Sequence, residues 1–182
     1  MLWMSEPALQ AVIGEGPPPR GAFTPTEPDR SRPVGPPLDD EYPVGVRISF
    51  GTDEITPTTE GLVAWLRDSG HEVEVLDGTP EWPEVGRSIG EYVASGRAER
   101  GVVCCWTGTG VSIAANKVPG VRAALCTDAE TARGAREWND ANVLAIGLRL
   151  TSPTVAIEMA EVFLSTDAGE HEAGTIGRVE SD

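Results

Sequence analysis

Histidine, cysteine and the aromatics are scarce in this chain: two His, three Cys and 5% Phe, Trp and Tyr among 182 residues. Three cysteines, with Cys104 and Cys105 adjacent and Cys126 apart, make no disulfide framework and point to a reducing, cytoplasmic setting. No Cys-x-x-Cys occurs, and His71 and His171 have no neighbour at ligand spacing, so no metal centre is expected. Basic residues are outnumbered, 14 against 29 acidic, and the net charge of −15 argues against a nucleic-acid partner. No apolar run approaches membrane-spanning length, and the N-terminus lacks the basic-then-apolar order of a secretory signal.

Proline, by contrast, is concentrated. Gly16-Pro17-Pro18-Pro19, Pro25, Pro28, Pro33 and Pro36-Pro37 break any helix or strand across residues 1–43. With little patterned apolar content, this stretch is expected to be a disordered extension. From Val44 onward the punctuation is regular. Val46–Phe50 reads as a strand, and Thr56-Pro57 caps and starts a helix that carries Leu62, Trp65 and Leu66 and stops at Gly70. Glu72–Leu76, Gly101–Cys105, Val121–Cys126 and Val143–Ile146 read as four further strands. Between them lie a helix from Trp82-Pro83, a short one over Val111–Lys117, and one opened by the capping pattern Thr127-Asp128-Ala129-Glu130. Ser152-Pro153 starts the last long helix, with Ile157, Ala160, Val162 and Phe163 as its core positions.

Five strand–helix alternations predict an α/β fold, a five-stranded parallel sheet covered by helices on both faces. Such sheets bind ligands at the carboxyl edge of their strands, so the loops there carry the chemistry. The first holds Asp53 and Glu54, and the second holds Trp82, a wall for a pocket or a staple for its helix. The third, Cys105-Trp106-Thr107-Gly108-Thr109-Gly110, sets a thiol and two glycines before a helix whose first amides have no intrahelical acceptor. Asn139 can hydrogen-bond a substrate oxygen, and Arg149 after the fifth strand suits an anion. Acid, thiol and amides together suit proton abstraction beside a carbonyl, with the amides holding an enediolate. A thioester-forming Cys is the rival mechanism, but no histidine sits at a matching edge position. Dinucleotide binding is disfavoured because Gly108-Thr109-Gly110 lacks the third glycine and the acidic partner.

The Gly108-Thr109-Gly110 turn followed by Ser112-Ile113-Ala114-Ala115-Asn116-Lys117-Val118-Pro119-Gly120-Val121-Arg122-Ala123, together with Asn139-Asp140-Ala141-Asn142-Val143-Leu144, resembles the RpiB/LacA/LacB sugar-phosphate isomerases over about Val46–Val179. The resemblance implies a Rossmann-like α/β/α sandwich, a dimer or tetramer with active sites at the subunit interface, and aldose–ketose isomerisation with no metal or organic cofactor. By the same resemblance Cys105 is the base that moves the carbon proton, Thr107 the hydroxyl of its loop, and Asp53 the acid after strand one. Gly108, Gly110, Val111 and Ser112 fall among the enediolate-holding amides, Asn139 on a substrate hydroxyl, and Arg149 and Arg178 on the phosphate.

Four positions depart from the family pattern. Glu54 stands where the family has a histidine after the acid, and Trp138 where it has the ring-opening histidine. Gly174 takes the place of one arginine of a C-terminal pair, and Trp106 that of a small glycine. Without the ring-opening imidazole a substrate already in open-chain form is favoured. The lost arginine weakens phosphate binding by about 1.5–3 kcal/mol if that contact is made. The expectation is an isomerase whose substrate differs from ribose 5-phosphate, being shorter or open-chain, or one with a modified or absent phosphate; the alternative is a catalytically silent sugar-phosphate-binding or partner subunit of a hetero-oligomer.

Overall fold

The computed structural model describes residues 45–78 and 80–179. The expected disordered extension, residues 1–43, lies outside them. Five strands form one sheet: β1 Arg47–Thr52, β2 Glu72–Val75, β3 Arg100–Cys105, β4 Ala123–Cys126 and β5 Val143–Gly147. Their order is β2-β1-β3-β5-β4, and every pairing is parallel. The helices are α1 Pro57–Asp68, α2 Trp82–Ala94, α3 Thr109–Ala115, α4 Ala129–Asn139, α5 Pro153–Ser165 and the single turn α6 Ala173–Ile176, preceded by a 3-10 turn at Glu170–Glu172.

The pleat sends alternate side chains to opposite faces, and two cores result. Ile48, Phe50, Val102, Cys104, Leu144 and Ile146 pack against Leu62 and Leu66 of α1, Ala132 and Ala135 of α4, and Ala156, Met159 and Phe163 of α5. Val103, Cys105, Val143 and Ala145 pack on the other face against Val85 and Ile89 of α2 and Val111 and Ala115 of α3. The architecture is therefore the three-layer α/β/α sandwich that the alternation implies. Close approach on the second face depends on a missing side chain, since a Cβ on Gly86 would lie 2.6 Å from the Val111 carbonyl oxygen.

Several boundaries differ from the sequence reading. α3 begins at Thr109 and ends at Ala115, two residues early at each end, because Gly108 adopts φ 73° and starts the helix from the left-handed region. The cap of α4 sits one residue later than expected: the Asp128 carboxylate accepts from the Thr131 amide at 2.7 Å, and Thr131 completes the box. β4 is shortened to four residues because Asn116 occupies its start, donating to the Ala123 carbonyl at 2.8 Å and accepting from the Ala123 amide at 2.8 Å. In α5, Ala160 and Phe163 are buried as expected, but Met159 and Ala156 complete the face while Ile157 and Val162 are only half-buried.

Candidate active site

β2 lies on one side of β1 and β3 on the other, so the crevice between β1 and β3 is where the chain reverses its direction of winding, the position at which open α/β sheets take ligands. Thr52 is paired with Cys104, which makes Asp53 and Cys105 the next residues on neighbouring strands. Cys105 belongs to the α2–α3 face. A Cβ on Gly51 would meet Ile89 of α2 at 2.9 Å, so the pleat continued past Thr52 carries Asp53 to that side as well. Topology and register therefore bring the acid and the thiol together.

Asp53 is half-buried, and its Oδ1 is buried without a hydrogen-bond partner among the described residues. Burial pushes its carboxyl pKa up; a backbone hydrogen bond opposes the shift and the nearby Glu54 charge adds to it. A carboxyl with a raised pKa and one buried oxygen without a partner suits exchange of a proton with a substrate hydroxyl. Glu54 itself is exposed, and its backbone is tied to Thr52 Oγ1, which donates to the Glu54 carbonyl at 2.8 Å. Cys104, by contrast, is fully buried in the opposite core, where burial holds its thiol protonated.

The Gly108 amide donates to Cys105 Sγ at 3.2 Å and fixes the sulfur under the turn. The Ser112 amide donates to the Gly108 carbonyl at 3.2 Å, and its hydroxyl to the Ala123 carbonyl at 3.4 Å. The Gly108 and Ser112 amides thus have acceptors within the chain, and the other amides of this first turn are those of Thr109, Gly110 and Val111. Thr107 Oγ1 lies 2.7 Å from Thr109 Oγ1, a hydroxyl pair of which the sequence reading used only the first member. The Trp82 ring lies on α3, and a Cβ at Gly110 would be 2.8 Å from it, so Trp82 is a wall beside these amides. Its placement at the start of α2 was the available signal.

Beyond the loop, β5 is held against it: the Leu148 amide donates to the Cys105 carbonyl at 3.0 Å and the Arg149 amide to the Trp106 carbonyl at 2.9 Å. Arg149 and Trp106 line a cavity of about 190 Å³ with Thr107, Leu125, Gly147 and Leu150, and both side chains are exposed. Asn139, Trp138 and Arg178 are elsewhere. α4 runs back from the carboxyl edge to the amino edge of the sheet, where Trp138 and Asn139 line a groove of about 790 Å³ with Lys117, Pro119, Arg122, Thr175 and Val179. Arg178 follows α6, its amide donating to Thr175 at 3.2 Å. β3, six residues or about 17 Å long, spans the gap between the two edges. Within one chain, Asn139 and Cys105 do not meet. No group of three or more His, Cys, Asp or Glu side chains among the described residues is arranged to hold a metal ion.

An acid and a thiol at the switch point of a parallel sheet, beside helix-initial amides, describe an enzyme class that moves protons on small oxygenated substrates. The relatives narrow this class: residues 48–180 match the family model described as Ribose/Galactose Isomerase, and the chain belongs to that family. The galactose-6-phosphate isomerase subunit LacB of Clostridium acetobutylicum is 42% identical over 123 residues, 64% of this chain and 70% of its own. The D-erythrulose-4-phosphate isomerase of Pectobacterium atrosepticum is 39% identical over 101 residues, 56% of this chain and 65% of its own. The solved ribose-5-phosphate isomerase B of Clostridium thermocellum superposes with a TM-score of 0.70 at 36% identity, covering 74% of this chain and 95% of that one. The protein is thus a sugar-phosphate isomerase family member, in a family whose substrates vary.

Proposed function

We propose that this protein interconverts an aldose and a ketose phosphate of four carbons, through a cis-enediolate. The observation that carries the reading is the placement of Cys105 and Asp53 on adjacent strand ends, with the Asp53 Oδ1 unpartnered. Cys105, as thiolate, takes the proton from the carbon next to the carbonyl. The electron pair moves onto the carbonyl oxygen, where the Thr109, Gly110 and Val111 amides hold it. Asp53 moves the hydroxyl proton between the two oxygens, and Cys105 returns the carbon proton to the neighbouring carbon. Each atom and charge is restored at the end of a turnover.

The substrate length follows from what the site lacks. A pentose 5-phosphate closes a ring that must be opened, and an imidazole is the natural acid–base for that; this chain has Trp138 at the corresponding position. A tetrose 4-phosphate carries its phosphate on the hydroxyl that would close a five-membered ring, so it is already open. The named substrate of the Pectobacterium relative has this length. Arg149, with Arg178 of a second copy, supplies charge for the phosphate. The three free thiols suit a cytoplasmic setting.

The 17 Å between Cys105 and the amino edge makes a second chain part of the proposal: Asn139 of one copy serves the Cys105 of another in a homodimer. Deuterium incorporation from solvent at the carbon next to the carbonyl of D-erythrulose 4-phosphate tests the chemistry, and Cys105→Ala is expected to abolish it. Mixing Cys105→Ala with Asn139→Ala chains tests the assembly. Random exchange makes half the dimers mixed, each with one intact site of two, so about one quarter of the wild-type rate returns. No recovery after verified exchange defeats the shared site. Absence of exchange with any tetrose, pentose or hexose phosphate favours the second reading, a silent binding subunit, for which the missing imidazoles are the specific observation.

A further inference from the structure

Asp140 is the one non-glycine residue with positive φ among the described residues, at φ 44° and ψ 44°, immediately after Asn139 at the end of α4. Glycine or asparagine is the ordinary occupant of such a helix end; an aspartate there is held by its surroundings. One carboxylate oxygen accepts from Arg136 Nη1 at 2.7 Å and the other from Arg122 Nη2 at 2.8 Å. Arg122 Nε also donates to the Asp140 carbonyl at 2.9 Å. Arg136 is 2% exposed and reaches two more backbone carbonyls, Ala141 at 2.6 Å and Thr166 at 3.1 Å. The cluster thus joins the end of α4 to the strap before β4 through Arg122 and to the end of α5 through Arg136. Its Arg122 also lines the groove that Trp138 and Asn139 line.

Backbone strain that persists is over-determined by its surroundings, and such positions mark functional geometry. Two buried or half-buried arginines on one carboxylate fix the last turn of α4 from both sides, and the residue whose direction is thereby set is Asn139. We propose that Asp140, clamped by Arg122 and Arg136, is a positioning residue that aims the Asn139 side chain at the sugar phosphate bound by the partner copy. This rests on the isomerase reading above and adds to it a determinant of substrate affinity that makes no contact with substrate. Arg136 ties α4 to α5, and the Arg122 arm ends on the same carboxylate and on the Asp140 carbonyl, so both converge on the residue that follows Asn139.

The test is a double-mutant cycle between positions 139 and 140. Asp140→Gly accepts the positive φ without strain but loses both arginine contacts, and Asp140→Asn keeps one hydrogen-bonding oxygen and tolerates the left-handed region. KM for D-erythrulose 4-phosphate is expected to rise by about tenfold in Asp140→Gly, with kcat changed much less and Asp140→Asn in between. In an Asn139→Ala background the same substitutions should change kcat/KM by less than about twofold, because the group being aimed is gone. Equal factors in both backgrounds overturn the proposal, since a merely structural role is blind to residue 139. If Asp140→Gly does not fold, Asp140→Asn and Arg122→Gln carry the same cycle. Calorimetric binding of D-erythrulose 4-phosphate separates the two levels. A wild-type protein that binds the compound without turnover defeats the isomerase reading and leaves the cycle to be read in Kd. One that neither binds it nor turns it over defeats both.

Discussion

Gly108 carries more of the site than any single side chain, and replacing it with alanine measures how much. Its φ of 73° is a conformation that an L side chain enters at a cost of about 1–2 kcal/mol. The new Cβ would stand 2.4 Å from Leu125 Cδ1, 2.8 Å from the Gly147 nitrogen and 2.9 Å from the Ile146 carbonyl carbon. Leu125 is the tip of a flexible, partly exposed side chain and can turn away, but the other two contacts are backbone of β5 and cannot. Overpacking against fixed backbone adds about 1–3 kcal/mol. Gly108→Ala is therefore expected to cost about 3 kcal/mol, roughly a 2 M fall in the urea midpoint at fixed protein concentration. Isomerase activity should fall by about 100-fold or more, because the amide on Cys105 Sγ and the helix-initial donors shift together. Leu125→Ala in the same chain should recover only the smaller part of the stability. A loss below about 1 kcal/mol, or full rescue by Leu125→Ala, refutes the reasoning that the turn is pinned between β3 and β5.

Two predictions concern pH. Asp53 has its carboxyl pKa raised in the folded state, so the protonated form favours folding and ionisation opposes it as pH rises from 3.8 through the raised value. Asp53→Asn removes that opposition: the variant should match the wild type in stability below the unfolded pKa and exceed it at neutral pH, while losing deuterium exchange. An Asp53→Asn protein less stable at neutral pH would show that the carboxylate is satisfied after all. His71 is buried with its Nδ1 unpartnered, and burial lowers its pKa below 6.5. The neutral ring is favoured in the folded form, so its contribution is present above 6.5 and is lost as pH falls from 6.5 through the lowered value. The thermal midpoint of His71→Gln should fall less than that of the wild type between pH 7 and about pH 5.

Most of the fold was legible because local signals agreed. Thr56-Pro57 and Ser152-Pro153 cap α1 and α5 at the residues the sequence indicates. Strand order was not legible, since alternation specifies parallel crossovers without saying that β5 inserts between β3 and β4. The short α3 was shifted because a left-handed Gly108 starts the helix earlier than its apolar pattern does. At the candidate site, the placement of Asp53, Cys105 and Thr107 at one edge of the sheet followed from the strand ends, while the roles proposed for them came from the family resemblance. The engaged amides of Gly108 and Ser112 were not legible, because their acceptors are a sulfur and a carbonyl that only the turn's geometry brings near. The arginine clamp on Asp140 was invisible for a similar reason: Arg122 and Asp140 are 18 residues apart and meet through the pairing of β4 with β5.

The two edges of the sheet divide the chemistry in a way that bears on how this chain departs from its family. In the proposed reaction, proton transfer belongs to the carboxyl edge, where Asp53, Cys105 and the amides are held by strand register and by the β5 backbone. The substrate recognition proposed for Asn139 and the C-terminal arm belongs to the amino edge, held by the Asp140 clamp and by the short helix α6. Among the described residues, the backbone hydrogen bonds of the Cys105–Gly110 turn involve neither Trp138 nor Gly174, so changes at those positions are expected to leave the thiol and acid in place. A chain can then exchange a histidine for Trp138 and an arginine for Gly174, altering which sugar is held, while the reaction at the other edge stays the same. Trp106 is the exception, because it stands on the proton-transfer loop with its carbonyl fixed by the Arg149 amide and its ring exposed toward Leu125 and Leu150. Its backbone could stay where a glycine's would be while its ring adds bulk beside Arg149, the side chain proposed for the phosphate. That combination lets a substitution at the reacting edge act on substrate length without moving the sulfur.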